Sequence, residues 1–245
     1  MTPNEVRTEI SRLAIGLLRS GLSGTVNTPI IANRNGTARV TWPAAESVEP
    51  GLFSALPFAS ITEYRQMVLG NHYIALMRDG ALLQLSIDIR GNDVVGHRFG
   101  YYPCPILLPE DFNVLDFEAL DLLLIYELEA NLDALESETQ LATNQLRMRS
   151  PLRFDYAPHA ASESEPASHV HLLNRDSRVA VHGALSIGHF IQFVLKHFYR
   201  KEWEDHALHD LTRWPMRDLN RTISVEEEGS LHITCRRREV DPSQS

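Results

Sequence analysis

Residues 73–102, which read YIALMRDGALLQLSIDIRGNDVVGHRFGYY, decide the fold of this chain. They contain three apolar or alternating runs of strand length, Tyr73–Arg78, Ala81–Ile89 and Val94–Tyr102. The dipeptide Asp79-Gly80 predicts a tight turn between the first two runs. Because links this short cannot make the crossover that parallel strands need, the stretch predicts an antiparallel meander.

The residues before this stretch predict a helix, a hairpin and one more strand. Thr2, Pro3 and Glu5 form a helix start, and apolar residues at helical spacing follow as far as Leu18. Asn35-Gly36 predicts a hairpin turn between strands at 27–34 and 37–42. The run from Tyr64 to Leu69 is predicted as a strand that joins the meander.

The residues after the stretch predict an acidic helix, two strands and a long helix. The strands cover Ser168–Leu173 and Arg178–His182, and Ser186 caps the long helix. The apolar positions of that helix keep a helical spacing, so it is expected to pack on the sheet: Ile187, Phe190, Ile191, Val194, Leu195 and Phe198. The fold class is therefore α+β, an antiparallel sheet meander with packed helices.

We expect one domain over residues 1–245. Its parts are an N-terminal helix and hairpin at 1–57, a sheet core at 58–108, and an acidic helix at 109–146. The histidine-containing strands and the long helix follow at 147–200, and a tail region covers 201–245. Hydrophobic residues make up 43% of the chain, which is enough for a core of that size.

Negative charge is concentrated in one part of the chain. Ten of its 32 acids, and none of its 23 lysines and arginines, lie between Pro109 and Leu146. The predicted helix at 116–135 has no basic residue to pair with, so we expect its acidic side to be exposed and to bind a basic protein partner. The remainder is nearly neutral, which is compatible with a nucleic-acid partner but supplies no basic stripe for one.

The sequence contains no apolar run of membrane-spanning length and no signal peptide, so no membrane contact is expected. Its two cysteines, Cys104 and Cys235, do not form a C-x-x-C pair. A reducing, cytoplasmic environment fits this cysteine usage best. Sequence signatures of nucleotide-binding loops and serine hydrolases are missing, and the sequence specifies no cofactor.

The H-x-H sequence at His169 and His171 is the main candidate for chemistry. Residues two apart in a strand share a face. If Asn174–Ser177 closes a hairpin, His171 lies opposite Ala180, and His169 lies opposite His182. All these side chains then share one face of the sheet.

Three interpretations of the histidines are open. The first is a polar sheet face with neutral, hydrogen-bonded imidazoles. The second is acid–base catalysis of phosphodiester cleavage, in which Arg153 or Arg178 holds a phosphate and Asp155 orients an imidazole. The third is a metal site, such as a zinc site, made by His169, His171 and His182.

Two stretches resemble a bacterial family known as domain of unknown function 2290. One is 70–105, with G-H-R-F-G-Y-Y-P-C-P at Gly96–Pro105, and the other is 150–199. The second contains L-R-F-D-Y, P-A-S-H-V-H-L and the helix F-I-Q-F-V-L-K-H-F-Y. The resemblance implies a place in bacterial mobile or defence gene clusters. The R-F-D and H-x-H sequences also resemble small toxin–antitoxin proteins.

Two classes of function are therefore expected. One is a nuclease or phosphodiesterase effector that uses His169, His171 and nearby arginines. The other is a non-catalytic subunit of a bacterial defence assembly, which binds its partner through the acidic helix and the sheet edge. A concave pocket beside the histidines favours the enzyme, whereas a flat or buried face favours a structural role.

Overall fold

A computed structural model describes residues 1–46, 61–136, 150–162, 165–172, 177–204, 206–212, 222–223 and 232–233. Within these ranges the chain forms five α-helices and one sheet of ten strands. The predicted α+β class is confirmed. The predicted turn Asn174–Ser177 and Cys235 lie wholly or largely outside the described residues.

The sheet is antiparallel except at its C-terminal edge, where β9 and β10 are parallel. Its main order is β1-β4-β5-β6-β7-β8-β9-β10, and β3 pairs with both β2 and β5. From β4 onward, neighbours in space are also neighbours along the chain. The strands are β1 Ser23–Val26, β2 Ile30–Arg34, β3 Thr37–Thr41, β4 Ala75–Met77, β5 Leu82–Arg90, β6 Asp93–Tyr102, β7 Leu152–Tyr156, β8 Ser168–Leu172, β9 Arg178–Val181 and β10 His232–Ile233.

The α-helices lie at the start of the chain and between the strands. They are α1 Pro3–Arg19, α2 Ile61–Leu69, α3 Phe117–Glu136, α4 Ile187–Phe198 and α5 Arg200–Glu204. Short 3₁₀ turns cover Pro43–Glu46, Pro158–Ala160 and His206–Thr212. None of the helices in the described ranges is long and apolar enough to cross a bilayer.

The first helix begins as its sequence predicts. The Thr2 side chain accepts a hydrogen bond from the Glu5 backbone N–H, and the Glu5 carboxylate accepts one from the Thr2 backbone N–H at 2.7 Å. This capping box satisfies two N–H groups that a helix start would otherwise leave unpaired. The inner stripe of α1 is buried as far as Leu17, whereas Leu18 lies on the exposed side.

The two predicted turns also form. Asn35 and Gly36 both have positive φ angles, 49° and 75°, and they join β2 to β3. A two-residue hairpin turn of this type needs such angles at both positions, which is why Asn-Gly suits it. Gly80 has a φ of 82° in the turn between β4 and β5.

The predicted strand at Tyr64–Leu69 is wrong, because this segment belongs to helix α2. Tyr64, Met67 and Val68 are buried on one side of it, at a spacing of three and four residues. That spacing is helical, so the apolar residues of the segment meet the sheet only if the backbone is a helix.

Apolar clusters cover both faces of the central strands. On one face, α1 and α4 pack on Leu83, Leu85 and Ile87 of β5. On the other face, α2 and α3 pack on Leu82 and neighbouring residues of β4 and β6. The second cluster ends near Tyr102, and the same face continues over β7 and β8 with charged side chains and histidines.

The acidic side of α3 is only partly exposed, which corrects the expectation from the sequence. Leu120 and Leu124 are buried as expected, but Glu127 is buried with them and is only 3% exposed. Residue 127 lies seven positions, or nearly two full turns, after residue 120, so both point to the same side. Asp121 is also paired, because it accepts hydrogen bonds from the Arg65 guanidinium of α2.

Candidate functional site

The pairing of β7 with β8 builds the candidate site. Arg153 lies opposite His171, and Asp155 lies opposite His169. Directly opposed residues of antiparallel strands share a face, so the four side chains meet on one side of the sheet. The prediction that His169 and His171 share a face is confirmed.

The core fixes which side these residues take. Phe154 and Val170 alternate with them, point to the other face and are buried there. Phe154 packs against Phe190 of α4, with ring centroids 6.0 Å apart. Because burial of Phe154 and Val170 stabilises the fold, a slip of one residue that would turn the histidines over is disfavoured.

The polar atoms of the site converge on Nε2 of His171. The distances from this atom are 2.9 Å to Nη2 of Arg153, 3.0 Å to Nε2 of His169, and 3.4 Å to Oδ2 of Asp155. Nε2 of His169 lies 4.0 Å from the same Asp155 oxygen. We call Arg153, Asp155, His169 and His171 the histidine cluster.

Two groups outside these strands also contact the cluster. The Pro166 carbonyl lies 2.6 Å from Nδ1 of His169 and accepts a hydrogen bond from it. Nε of Arg98, on β6, lies 3.4 Å from Oδ1 of Asp155. Arg98 is 45% exposed, so it connects the cluster to solvent.

Arg98 is absent from the residues that the sequence predicts for the site. Its strand is predicted correctly, and it lies directly opposite Asp155. This pairing can be predicted only if β7 is known to lie beside β6, and Leu152–Tyr156 was not predicted as a strand. The alternation in L-R-F-D-Y was the signal that could have revealed it.

The electrostatics of the cluster favour a charged Asp155 and a neutral His169. Burial alone would raise the pKa of Asp155, but the hydrogen bond with His171 and the positive charges of Arg98 and Arg153 hold that pKa well below its usual range. Burial lowers the pKa of His169. It also lowers the pKa of the nearby His97, to about 4.

The histidine cluster is enclosed. His169 and His171 are each 1% exposed, and Arg153 and Asp155 are also buried. One surface depression of the chain lies elsewhere and is bordered by Arg78, Asp79 and residues 106–110. Burial with mutual contacts fits the structural interpretation of the histidines.

One predicted member of the site, His182, lies outside the histidine cluster. The prediction that His169 faces His182 is wrong, because His169 pairs with Ala180 and His171 pairs with Arg178. The strands are offset by two residues from the predicted register, which keeps the faces but removes His182 from the cluster. Arg178 lies directly opposite His171, on the face of the cluster, and its Nε lies 3.7 Å from Oε1 of Glu165.

The chemistry of the donor set suits a metal ion as well as a proton. Asp155, His169 and His171 each offer one ligand atom, and these atoms lie within 4.8 Å of one another. Two imidazole nitrogens and a carboxylate oxygen are common zinc ligands. The predicted zinc set thus has two of its members in place, and Asp155, from β7 on the other side of β8, is the third candidate ligand instead of His182.

A family model matches residues 22–235 of the chain, and its description is "Uncharacterized conserved protein (DUF2290)". The chain belongs to the DUF2290 family. The match spans β1 to the end of the described sheet and includes all four residues of the histidine cluster. No curated protein and no solved structure matched this DUF2290 chain.

Proposed function

We propose that this DUF2290 protein hydrolyses phosphodiester bonds at the histidine cluster, as a nuclease-type effector of a bacterial defence or toxin–antitoxin system. The observation that supports this most is the convergence of two imidazoles and one carboxylate beside Arg98 and Arg153. Guanidinium groups bind phosphate through two parallel hydrogen bonds. Imidazoles activate water near neutral pH.

Each residue has a distinct role in this proposal. Arg98 is half-exposed and binds the phosphate first. Arg153 stabilises the charge that develops on the phosphorus oxygens, and Asp155 holds the position of the neighbouring imidazole. His169 and His171 activate the water, either by taking its proton or by holding a cation that lowers its pKa.

The enclosure of the cluster sets a condition on this function. His169 and His171 are 1% exposed, and the Pro166 carbonyl contacts one of them. A phosphate that binds Arg98 therefore reaches Arg153 only after the chain that covers the imidazoles moves aside. Such a step would make hydrolysis slower than binding.

The test is cleavage by the purified full chain of single- and double-stranded DNA, RNA, and bis(p-nitrophenyl) phosphate. His171→Asn should lower kcat/KM about 10²–10⁴-fold, which is the range for loss of an acid–base group. Arg98→Gln should mainly raise KM. The control is His159→Ala, since His159 is an exposed histidine in the 3₁₀ turn Pro158–Ala160.

The same assay tests the role predicted for Arg178, with Arg178→Ala expected to lower activity. Melting temperatures accompany every variant, so that loss of folding is not read as loss of chemistry. A folded His171→Asn protein with full activity would overturn the proposal. So would a wild-type protein that cleaves none of these substrates.

A second candidate function, a non-catalytic subunit, is favoured by the outer face of α3. This face consists of Leu122 and Tyr126, which are 61% and 64% exposed, and of the exposed Glu118 and Glu129 beside them. Large apolar side chains between acids suit a protein partner that has an apolar centre and a basic rim.

The subunit proposal is tested with a partner recovered from the native host and then purified. Leu122→Ser with Tyr126→Ala should weaken its Kd at least about tenfold, the effect of losing one interface anchor. Leu18→Ser is the control, because Leu18 is an exposed leucine on α1. Equal weakening by the control, or unchanged binding by the α3 variant, would remove this face as the interface.

A further inference from the structure

We propose that Asp155, His169 and His171 bind one divalent transition-metal ion, and that zinc fits this donor set best. The ligand atoms are Oδ2 of Asp155 and Nε2 of each histidine. This inference concerns binding alone, so it holds whether or not the cluster hydrolyses a phosphodiester. Metal binding and hydrolysis can therefore fail separately.

The separations between the three atoms match a shared ion. They are 3.0 Å between the two imidazole nitrogens, and 3.4 Å and 4.0 Å from these nitrogens to the Asp155 oxygen. Zinc bonds of about 2.0–2.1 Å at tetrahedral angles place ligand atoms about 3.3 Å apart. The observed distances lie on both sides of that value, so small side-chain rotations bring all three to bonding distance.

Hydrogen bonding leaves a lone pair on Nε2 of His169. The Pro166 carbonyl can only accept, so Nδ1 of His169 carries the hydrogen in their 2.6 Å contact. In the neutral imidazole, Nε2 then has none. A backbone carbonyl on the far nitrogen is also the usual outer partner of a metal-bound histidine, because it fixes the ring and its tautomer.

Nε2 of His171 has three polar neighbours that no single protonation state can satisfy. Without a hydrogen, it accepts from Arg153 but faces the lone pairs of His169 and Asp155. With a hydrogen, it meets the N–H of Arg153, which can only donate. A cation bound to the two imidazoles and the carboxylate removes the conflict between the lone pairs, and it replaces Arg153 as the partner of Nε2 of His171.

Two guanidinium groups determine which kind of ligand would occupy the fourth coordination position of such an ion. Arg98 and Arg153 both contact Asp155, so the surroundings are already positive. A dication placed there attracts an anion to its fourth position, and three protein ligands leave that position open. Inorganic phosphate should therefore tighten metal binding, and removal of the Arg153 charge should do the same.

The test uses the full chain, freed of metal with a chelator and titrated with Co²⁺ and then Zn²⁺. We expect about one equivalent of Co²⁺ with the visible absorption of a tetrahedral site, and its displacement by Zn²⁺. Asp155→Asn and His171→Asn should each weaken binding at least about 100-fold, because a ligand counts for more than the outer-shell groups that cost 10–100-fold. His159→Ala should bind as the wild type does.

Wild-type protein that takes up no metal would overturn the inference, as would ligand variants that bind as tightly as the wild type. If the ligand variants fail to fold, a measurement on the wild type alone still tests the site. Bound Co²⁺ shifts the proton signals of imidazole N–H groups on its ligands, and two such signals are expected. One or none contradicts the site, and so does phosphate that leaves the affinity unchanged.

Discussion

Asp155 connects several charged groups of the histidine cluster described above. Its carboxylate contacts Arg98 and Arg153 on one side and His171 on the other. Arg153 is buried with it, and a buried guanidinium depends on its partners because water does not reach it. Removal of the Asp155 charge therefore affects stability as well as any chemistry.

We predict that Asp155→Asn, in metal-free protein, lowers the free energy of unfolding by about 3–5 kcal/mol, the cost of breaking a buried ion pair. The control is Asp88→Asn, because Asp88 pairs with the half-exposed Arg39 at 2.6 Å. That change should cost less than about 1 kcal/mol. Denaturant unfolding of both variants measures the difference. Equal losses of unfolding free energy would contradict the claim that burial makes the Asp155 ion pairs the more important ones for stability.

Local sequence identified the histidines but not their partners. The alternation of S-H-V-H-L sets the shared face of His169 and His171 whatever the neighbouring strand is. The identity of the opposing residues depends on register, and there the prediction erred by two positions. The predicted four-residue turn was too short, since β8 ends at Leu172 and β9 begins at Arg178.

At the scale of elements, those with complete local signals were predicted well. Helix α1 has its capping box, α4 has its cap at Ser186, and the β2–β3 hairpin has its Asn-Gly turn. Strand β7 was missed because Arg153 and Asp155 are charged residues that are buried, and their burial is made favourable by partners on β6 and β8, outside the strand's own sequence. Helix α2 was misassigned because its apolar run is short enough to suit either structure.

Helix α3 supplies a matched pair of charge reversals. We predict that Glu127→Lys destabilises the protein by about 2–4 kcal/mol, because the new ammonium would be buried beside Leu120 and Leu124. Glu129→Lys should change stability by less than about 0.5 kcal/mol, since Glu129 is exposed. Thermal unfolding of the two variants checks this, and similar melting temperatures would mean that residue 127 is not enclosed in solution.

Over the whole molecule, strand β5 joins the two apolar clusters. Leu83 and Leu85 point into the cluster under α1 and α4, whereas Leu82 points into the cluster under α2 and α3. The same four-residue length of backbone, 82–85, thus contributes to the cores of both faces. If β5 separated from one cluster, the apolar residues of the other cluster would also be exposed. The two clusters are therefore expected to unfold together, as a single cooperative unit.

We predict one unfolding transition, shifted alike by a core change on either face. Leu85→Ala and Leu124→Ala should each cost about 2–5 kcal/mol, because each leaves a cavity at a buried leucine. Circular dichroism and tryptophan fluorescence should report coincident curves for both variants. Two separate transitions, with each variant moving a different one, would contradict a single domain.

The strand order from β4 to β9 also has a consequence for synthesis on the ribosome. Because each of these strands lies beside its predecessor, the sheet can extend by one strand at a time as the chain emerges. Arg153 and Asp155 would then meet the histidines as soon as β8 leaves the tunnel, while α4 is still inside it. Stalled nascent chains in which β8 has just left the tunnel should accordingly protect β5–β8 from protease. Chains in which β7 is still inside the tunnel should leave the outer edge of β6 open to cleavage.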